Sequence, residues 1–313
     1  MTTTASPPPA PSAAAPPPAA SLSFPDLERR LEQALGGLAG ELGRRPEALR
    51  ALLSAPRARA LLDGMARRVG PLAGRRILEI GSGCGLALAL ANCEYGADAW
   101  GVDPASAGYG GVAGIARHVL HRCGVSPARL LCAPGEALPF PPSSFDVVCS
   151  FYVLEHVQHL ERVLGEAARV LRAGGYLYAV LPNYGSVWEG HYGIPWAPHL
   201  PMAAARWYVR LLGRSDRPLD AIQLTTVGTV ARALAGVGGL RIEGLGMAEF
   251  EERLRHGATA DLDTARRLAP VLRLLGRPPV RWLVLGAVRR FRLWTPLVVV
   301  ARREAEGSHD GRQ

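Results

Sequence analysis

Gly81, Gly83 and Gly85 alternate with Ser82 and Cys84 directly after the apolar run Ile77-Leu78-Glu79-Ile80. A turn so dense in glycine lets a ligand come close to the backbone. Three ligands suit such a turn at first sight: a nucleotide triphosphate, a dinucleotide and another adenosine compound. A phosphate loop needs a lysine after its last glycine, and the chain has none, because all 36 basic residues are arginine. The dinucleotide fingerprint GxGxxG would set its third glycine on Leu86. Glu79, two residues before the first glycine, would repel a pyrophosphate but can pair with a cation. The ligand therefore reads as a cationic adenosine compound. Asp103 closes the next stretch, "ADAWGVDP", where an acid can take ribose hydroxyls, and "GEALPF" follows a third such stretch at the crevice outside the strand ends.

Two further groups can do proton chemistry or hold a substrate. "YVLEHV" carries Glu155 and His156, and "NYGSVWEGHYGIPWAP" carries Tyr184, Trp188, Glu189, His191, Tyr192 and Trp196. A neutral imidazole takes up a proton near neutral pH, so His156 and His191 are the candidate catalytic bases, with Glu189 beside them. Aromatics with polar tips suit a lid over a ring or sugar, with Glu189 and His191 as orienting groups. The competing reading packs these aromatics into a small satellite core.

These residues need a scaffold, and the sequence supplies one. From Arg75 onward, buried strand-like runs ("RILEIG", "ADAWGVDP", "ARLLCAP", "SFDVVCSFY", "YLYAVLPN") are separated by helical stretches such as "VQHLERVLGEAARVLRAGG". That rhythm predicts an α/β fold, a Rossmann-like doubly wound, mostly parallel seven-stranded sheet with helices on both faces. Residues 1–21, nearly all Thr, Ala, Pro and Ser, predict a disordered tail. Leu27, Leu31 and Leu35 begin a helical cap over 22–70. The cofactor-binding core spans 71–182, the aromatic insert 183–221, and the rest of the core 222–303, with a basic helical insert near 250–290. A polar tail, 304–313, ends the chain.

Four stretches in order, "LEIGSGCG", "GVDP", "GEALPFPPSSFDVVCSFYVLEHV" and "RVLRAGGYL", resemble class I S-adenosylmethionine-dependent methyltransferases. The resemblance runs from about Gly74 to Asn183, to the small-molecule group that includes ubiquinone- and menaquinone-biosynthesis enzymes (the methyltransferase type 11 domain). It implies S-adenosyl-L-methionine as cofactor, with the backbone at Gly81, Gly83 and Gly85 against its methionine part. Glu79 would hold the amino group through backbone or water contacts, and Asp103 would take both ribose hydroxyls. Many relatives carry Asp-Ala where this chain has Pro134 and Gly135. Adenine recognition then falls to Glu136, or to backbone groups of Gly135 and Glu136. Phe151 and Tyr152 would border the cofactor and the methyl-transfer site. Some quinone O-methyltransferases of this group bind a divalent metal through Glu-x-x-Glu-His. Here Tyr152 stands at the first position and adjacent helical residues do not face each other, so no metal is expected.

Charge and composition bound the partners. Ten arginines and no acid lie between Thr264 and Arg303, so this segment carries the whole net charge of +9. Arginines mixed with Leu, Val and Trp fit a surface resting on anionic lipid through 264–303. No recognition motif for nucleic acid is present. Five cysteines without a CxxC pair suit a reducing compartment, and the start of the chain lacks the pattern of a secretory signal. The expectation is a cytoplasmic, membrane-peripheral methyltransferase acting on a small-molecule, lipid-linked or glycan-type acceptor, with O- or C-methylation favoured. The alternative is an inactive cofactor-binding module that serves as a regulator or partner.

Overall fold

The computed structural model describes residues 24–44, 46–104, 110–256 and 280–305. Helix α1 (Pro25–Glu41) buries Leu27, Leu31, Leu35 and Ala39, the four-residue spacing that places side chains on one face. A 3₁₀ segment (Pro46–Leu53) leads into α2 (Ala55–Val69), whose N-terminus is capped by the Ser54 hydroxyl accepting from the Arg57 amide. The core then alternates β1 (Arg76–Ile80), α3 (Leu86–Cys93), β2 (Asp98–Val102), α4 (Gly110–Arg122), β3 (Leu130–Leu131), β4 (Phe145–Phe151), α5 (Leu160–Val170) and β5 (Leu171–Leu181). Next come a small hairpin, β6 (Trp188–Glu189) with β7 (Ile194–Pro195), and α6 (Met202–Leu211). The chain re-enters the core through α7 (Val227–Val237), β8 (Leu240–Gly244), α8 (Met247–His256), α9 (Val280–Phe291) and β9 (Leu297–Arg303).

Seven strands form one sheet in the order β3-β2-β1-β4-β5-β9-β8. Pairings among β3, β2, β1, β4 and β5 are parallel, and β9 runs antiparallel to both neighbours. The expected sheet is the one observed. Two buried clusters cover its faces. One joins Leu27, Leu31, Leu62, Met65 and Leu88 to Ile77 and Cys149. The other joins Leu160, Val163, Val230 and Leu234 to Leu78, Val148 and Val299. Alternate residues of β1 thus point to opposite layers. Because the central strands are parallel, their carboxyl ends lie on one edge. Gly81, Asp103 and the residues after Phe151 gather there, at the switch point between β1 and β4 where α/β sheets bind ligands.

The structure redraws two boundaries. The helix expected through Gly175 stops at Val170. Leu171 turns extended and pairs with Phe145, and Gly174 takes φ of 75°. Of the basic insert expected over 250–290, α8 and α9 are seen, while residues 257–279 lie outside the described set. So do the expected tail at 1–21 and residues 306–313.

Candidate active site

The glycine turn is built by backbone conformations that only glycine adopts cheaply. Gly81, Gly83 and Gly85 have φ of 78°, 50° and 72°. A Cβ on Gly81 would sit 2.4 Å from the Val153 side chain, and one on Gly85 would press on Ala116 at 3.1 Å. These two glycines serve the packing of the chain on itself. Gly83 differs: a Cβ there would meet nothing within 4 Å, so open space for a ligand lies beside its half-buried backbone. The Gly83 amide donates to Asp103 Oδ2 at 2.8 Å, which ties the turn to the end of β2. Burial raises the Asp103 pKa, opposed by that amide.

Glu79 lies beneath the turn. Its side chain is fully buried and Oε2 has no hydrogen-bond partner. It borders a void of about 10 Å³ shared with Leu62, Leu88, Cys149 and Phe151, space for no more than about one water. Burial pushes its pKa up to about 8, against opposing hydrogen bonding from Ser82 and with Asp103 adding to the rise. The residue is a carboxyl that lacks a cation.

The loop after β3 departs from the simplest expectation for Glu136. Its Oε1 accepts from the Gln158 and His159 amides at 3.1 and 3.3 Å, which fastens the entry to α5 and occupies that oxygen. Gly135 packs under it, since a Cβ would approach Ile80 at 2.9 Å. At the end of β4, Phe151 is half-buried and meets Tyr178 edge-on. Tyr152 has φ of 57°, a conformation unusual for a residue with a side chain, and the Arg57 guanidinium lies over its ring. Backbone strain of this kind collects at functional positions.

Beyond Tyr152 the chain makes a turn, not a helix, through Leu154–His156. Glu155 is 0% exposed and neither carboxylate oxygen has a hydrogen-bond partner. The insert brings His191 against it. Both His156 Nε2 and His191 Nε2 stand 3.9 Å from Glu155 Oε1, and the two rings meet edge to face. Each imidazole is held from behind. His156 Nδ1 donates to the Ala221 carbonyl at 2.8 Å, and His191 Nδ1 donates to Glu189 Oε1 at 2.8 Å. Burial raises the Glu155 pKa to about 7 and lowers that of His156 to about 4. Burial also pulls the His191 pKa down, but the Glu189 carboxylate outweighs it and the net direction is up.

A model of the methyltransferase domain family matches residues 78–179, the stretch from β1 to β5 that holds the glycine turn, Asp103 and the Glu155 turn. The match covers this core and not the rest of the chain. A ubiquinone biosynthesis O-methyltransferase of Agrobacterium fabrum is 34% identical over 113 residues, 36% of this chain and 43% of that protein. The uncharacterized methyltransferase YcgJ of Bacillus subtilis is 33% identical over 100 residues, 32% of this chain and 38% of that one. The chain thus matches less than half the length of these curated relatives. Phosphoethanolamine N-methyltransferase 2 of Haemonchus contortus shares the fold, with a TM-score of 0.50 at 18% identity, covering 91% of this chain and 61% of that one.

Outside the matched core, the aromatic insert packs as the satellite core that stood beside the lid as the competing reading. Tyr184, Tyr192 and Trp196 are buried with Leu42, Ile194, Val209 and Leu219 in a third, smaller cluster. Their rings hold the insert to the end of α1 and to α6. Glu189 belongs to the same packing. It is buried, and it receives the Tyr184 hydroxyl, the His191 amide and ring, and the Tyr192 amide. Hydrogen bonding from His191 overcomes burial and keeps its pKa low. Its work is to orient His191. Trp188, half-buried at the start of the hairpin, is the least buried of these four aromatics. The sequence reading undervalued Glu155, because it took 152–156 as helical. The signal was the adjacent pair Glu155-His156 in a stretch bounded by a strand.

Proposed function

We propose that the protein is an S-adenosylmethionine-dependent methyltransferase that methylates a small-molecule acceptor at oxygen or carbon. The observation that carries this reading is the open left-handed backbone of Gly83 between an unpartnered buried Glu79 and the Asp103 carboxylate. A cationic, ribose-bearing ligand fits that set: Glu79 lacks a counter-charge, and Asp103 lies at the rim where ribose hydroxyls dock. Glu136 Oε1 is occupied, so adenine is read by Glu136 Oε2 or by the Gly135 and Glu136 backbone. Phe151 and Tyr152 close the side toward the acceptor.

S-adenosylmethionine, when bound, supplies a methyl group already activated on sulfur. The chain must align the acceptor at roughly 3–3.5 Å and exclude water. Trp188 and Tyr152, both half-buried, are our candidates to orient the acceptor. A hydroxyl acceptor also loses a proton, and the cluster of Glu155, His156 and His191 is the place able to draw it off. A lipid-linked acceptor agrees with α9, where Trp282 and Leu283 are 63% and 76% exposed beside Arg281, Arg289 and Arg290. Among the described residues no helix is long and apolar enough to cross a membrane, so contact would be peripheral.

The test is calorimetry with S-adenosylmethionine, followed by transfer of labelled methyl from the cofactor to cell extract. Binding with a labelled small molecule supports the reading. Binding without product in any extract leaves a cofactor-binding module instead, and absence of binding overturns the reading.

A further inference from the structure

We propose that Glu155, His156 and His191 form a binding site for one divalent transition-metal ion, zinc foremost. The three ligand atoms lie within 4.8 Å of one another. His156 Nδ1 faces a carbonyl and His191 Nδ1 faces a carboxylate, neither of which can donate, so both Nδ1 atoms carry hydrogen. In the neutral rings the Nε2 atoms then present lone pairs, and both point toward Glu155 Oε1.

With Glu155 ionised and both rings neutral, three electron-rich atoms converge without a donor among them. Something cationic belongs in the middle. A shared proton would draw each pair to about 2.7–2.9 Å, and the observed 3.9 Å is too long for a hydrogen bond. A zinc ion with ligands at about 2.0–2.1 Å sets neighbouring ligand atoms about 3.4 Å apart. Rotation of the Glu155 carboxylate, whose oxygens have no hydrogen-bond partner, closes about half an ångström in each Glu155–His pair. Small turns of the two imidazoles bring their Nε2 atoms, within 4.8 Å of each other, to the same spacing. Burial supplies the second, independent observation: both oxygens of a 0% exposed carboxylate are unpartnered, which is costly unless a cation meets them.

The supports behind the histidines have the pattern of a metal's outer shell, with a carboxylate on one ring and a carbonyl on the other. Tyr184 adds a hydroxyl to the Glu189–His191 pair at 3.2 Å from each. Two imidazoles and one carboxylate suit zinc and its first-row neighbours better than magnesium or calcium, which take oxygen ligands. The His156 and His191 side chains are 30% and 24% exposed, which leaves a side open for a further ligand, as catalytic sites do. The site differs from a Glu-x-x-Glu-His motif: Tyr152 stands at the first position, and His191 arrives from the hairpin instead. That the site binds metal does not rest on methyl transfer. Its role, which is to hold and ionise an acceptor hydroxyl, does.

The experiment uses the untagged full chain, stripped with chelator and titrated with zinc chloride or cobalt(II) chloride, with metal content, calorimetry and cobalt absorption as readouts. The expected result is one equivalent of ion per chain and visible cobalt bands of a four- or five-coordinate site. Glu155→Gln and His191→Asn should each weaken binding by at least about tenfold, with His156→Gln, at a more exposed ligand, as a third variant should either fail to fold. S-adenosylhomocysteine binding is measured on the same stripped samples. If the ion binds and the nucleoside does not, the metal site stands and the methyl-transfer reading falls. If wild type binds no stoichiometric ion, or all folded variants bind as wild type does, the proposed site is overturned.

Discussion

Glu79 links cofactor affinity to pH, and the size of the effect follows from its surroundings. The carboxyl is buried, with one oxygen unpartnered and a void of about 10 Å³ beside it. Burial raises its pKa from an ordinary 4.5 to about 8, so without cofactor it is mostly protonated at neutral pH. A cationic ligand favours the carboxylate, and binding must then expel the proton. With the empty-state value at about 8, affinity should rise about tenfold, or about 1.4 kcal/mol, per pH unit from about pH 6 and level off near 8. At about pH 7, binding should release about 0.9 proton. Calorimetry in buffers of different ionisation enthalpy reads that number directly. Glu79→Gln should abolish both the release and the slope. The same shift has a consequence for the empty protein. Its folded form holds more protons than its unfolded form between 4.5 and about 8. Glu79 therefore contributes its full stability below that window and loses it as pH rises to the folded value. A cofactor affinity flat from about pH 6 to 8, with no proton released at 7, would refute the assignment of Glu79 as the cofactor's counter-charge.

Three other perturbations separate packing from ligand contact. Gly81→Ala should cost roughly 2–4 kcal/mol in denaturant melts, because it combines a φ of 78° with a 2.4 Å approach to Val153. Gly83→Ala, strained but not crowded, should cost about 1 kcal/mol and should reduce cofactor binding more than tenfold in calorimetry. Asp103→Ala should weaken cofactor binding by about 1.5–3 kcal/mol, the worth of hydrogen bonds to a charged group, while Asp103→Asn keeps part of it. Replacing Trp282 and Leu283 by Ser should reduce co-sedimentation with anionic liposomes at low salt and leave the melting temperature within about 2 °C, because both side chains are exposed; unchanged co-sedimentation would remove the lipid contact.

The sheet was legible because a parallel core writes itself twice, once in continuous apolar strands such as "RILEI" and again in the helices that must return between them. The glycine turn was legible for a related reason: three positive φ values in five residues leave few alternatives to glycine. The Glu155 cluster was not legible, since its parts lie on separate elements whose meeting is decided by packing. His191 reaches Glu155 only because Tyr184, Tyr192 and Trp196 bury themselves with Leu42 and Val209, and because Glu189 is saturated by four donors around it. Those same aromatics read as a lid in one dimension, because a Tyr or Trp beside a polar residue looks alike whether its ring faces solvent or a core. Burial of the three rings favours the satellite core. The aromatic side chains are the mortar, and the polar residues among them carry the site. A loop that spends three large rings on anchoring one histidine makes that histidine's position costly to disturb. We therefore place the insert's proposed function at His191, where that anchoring converges.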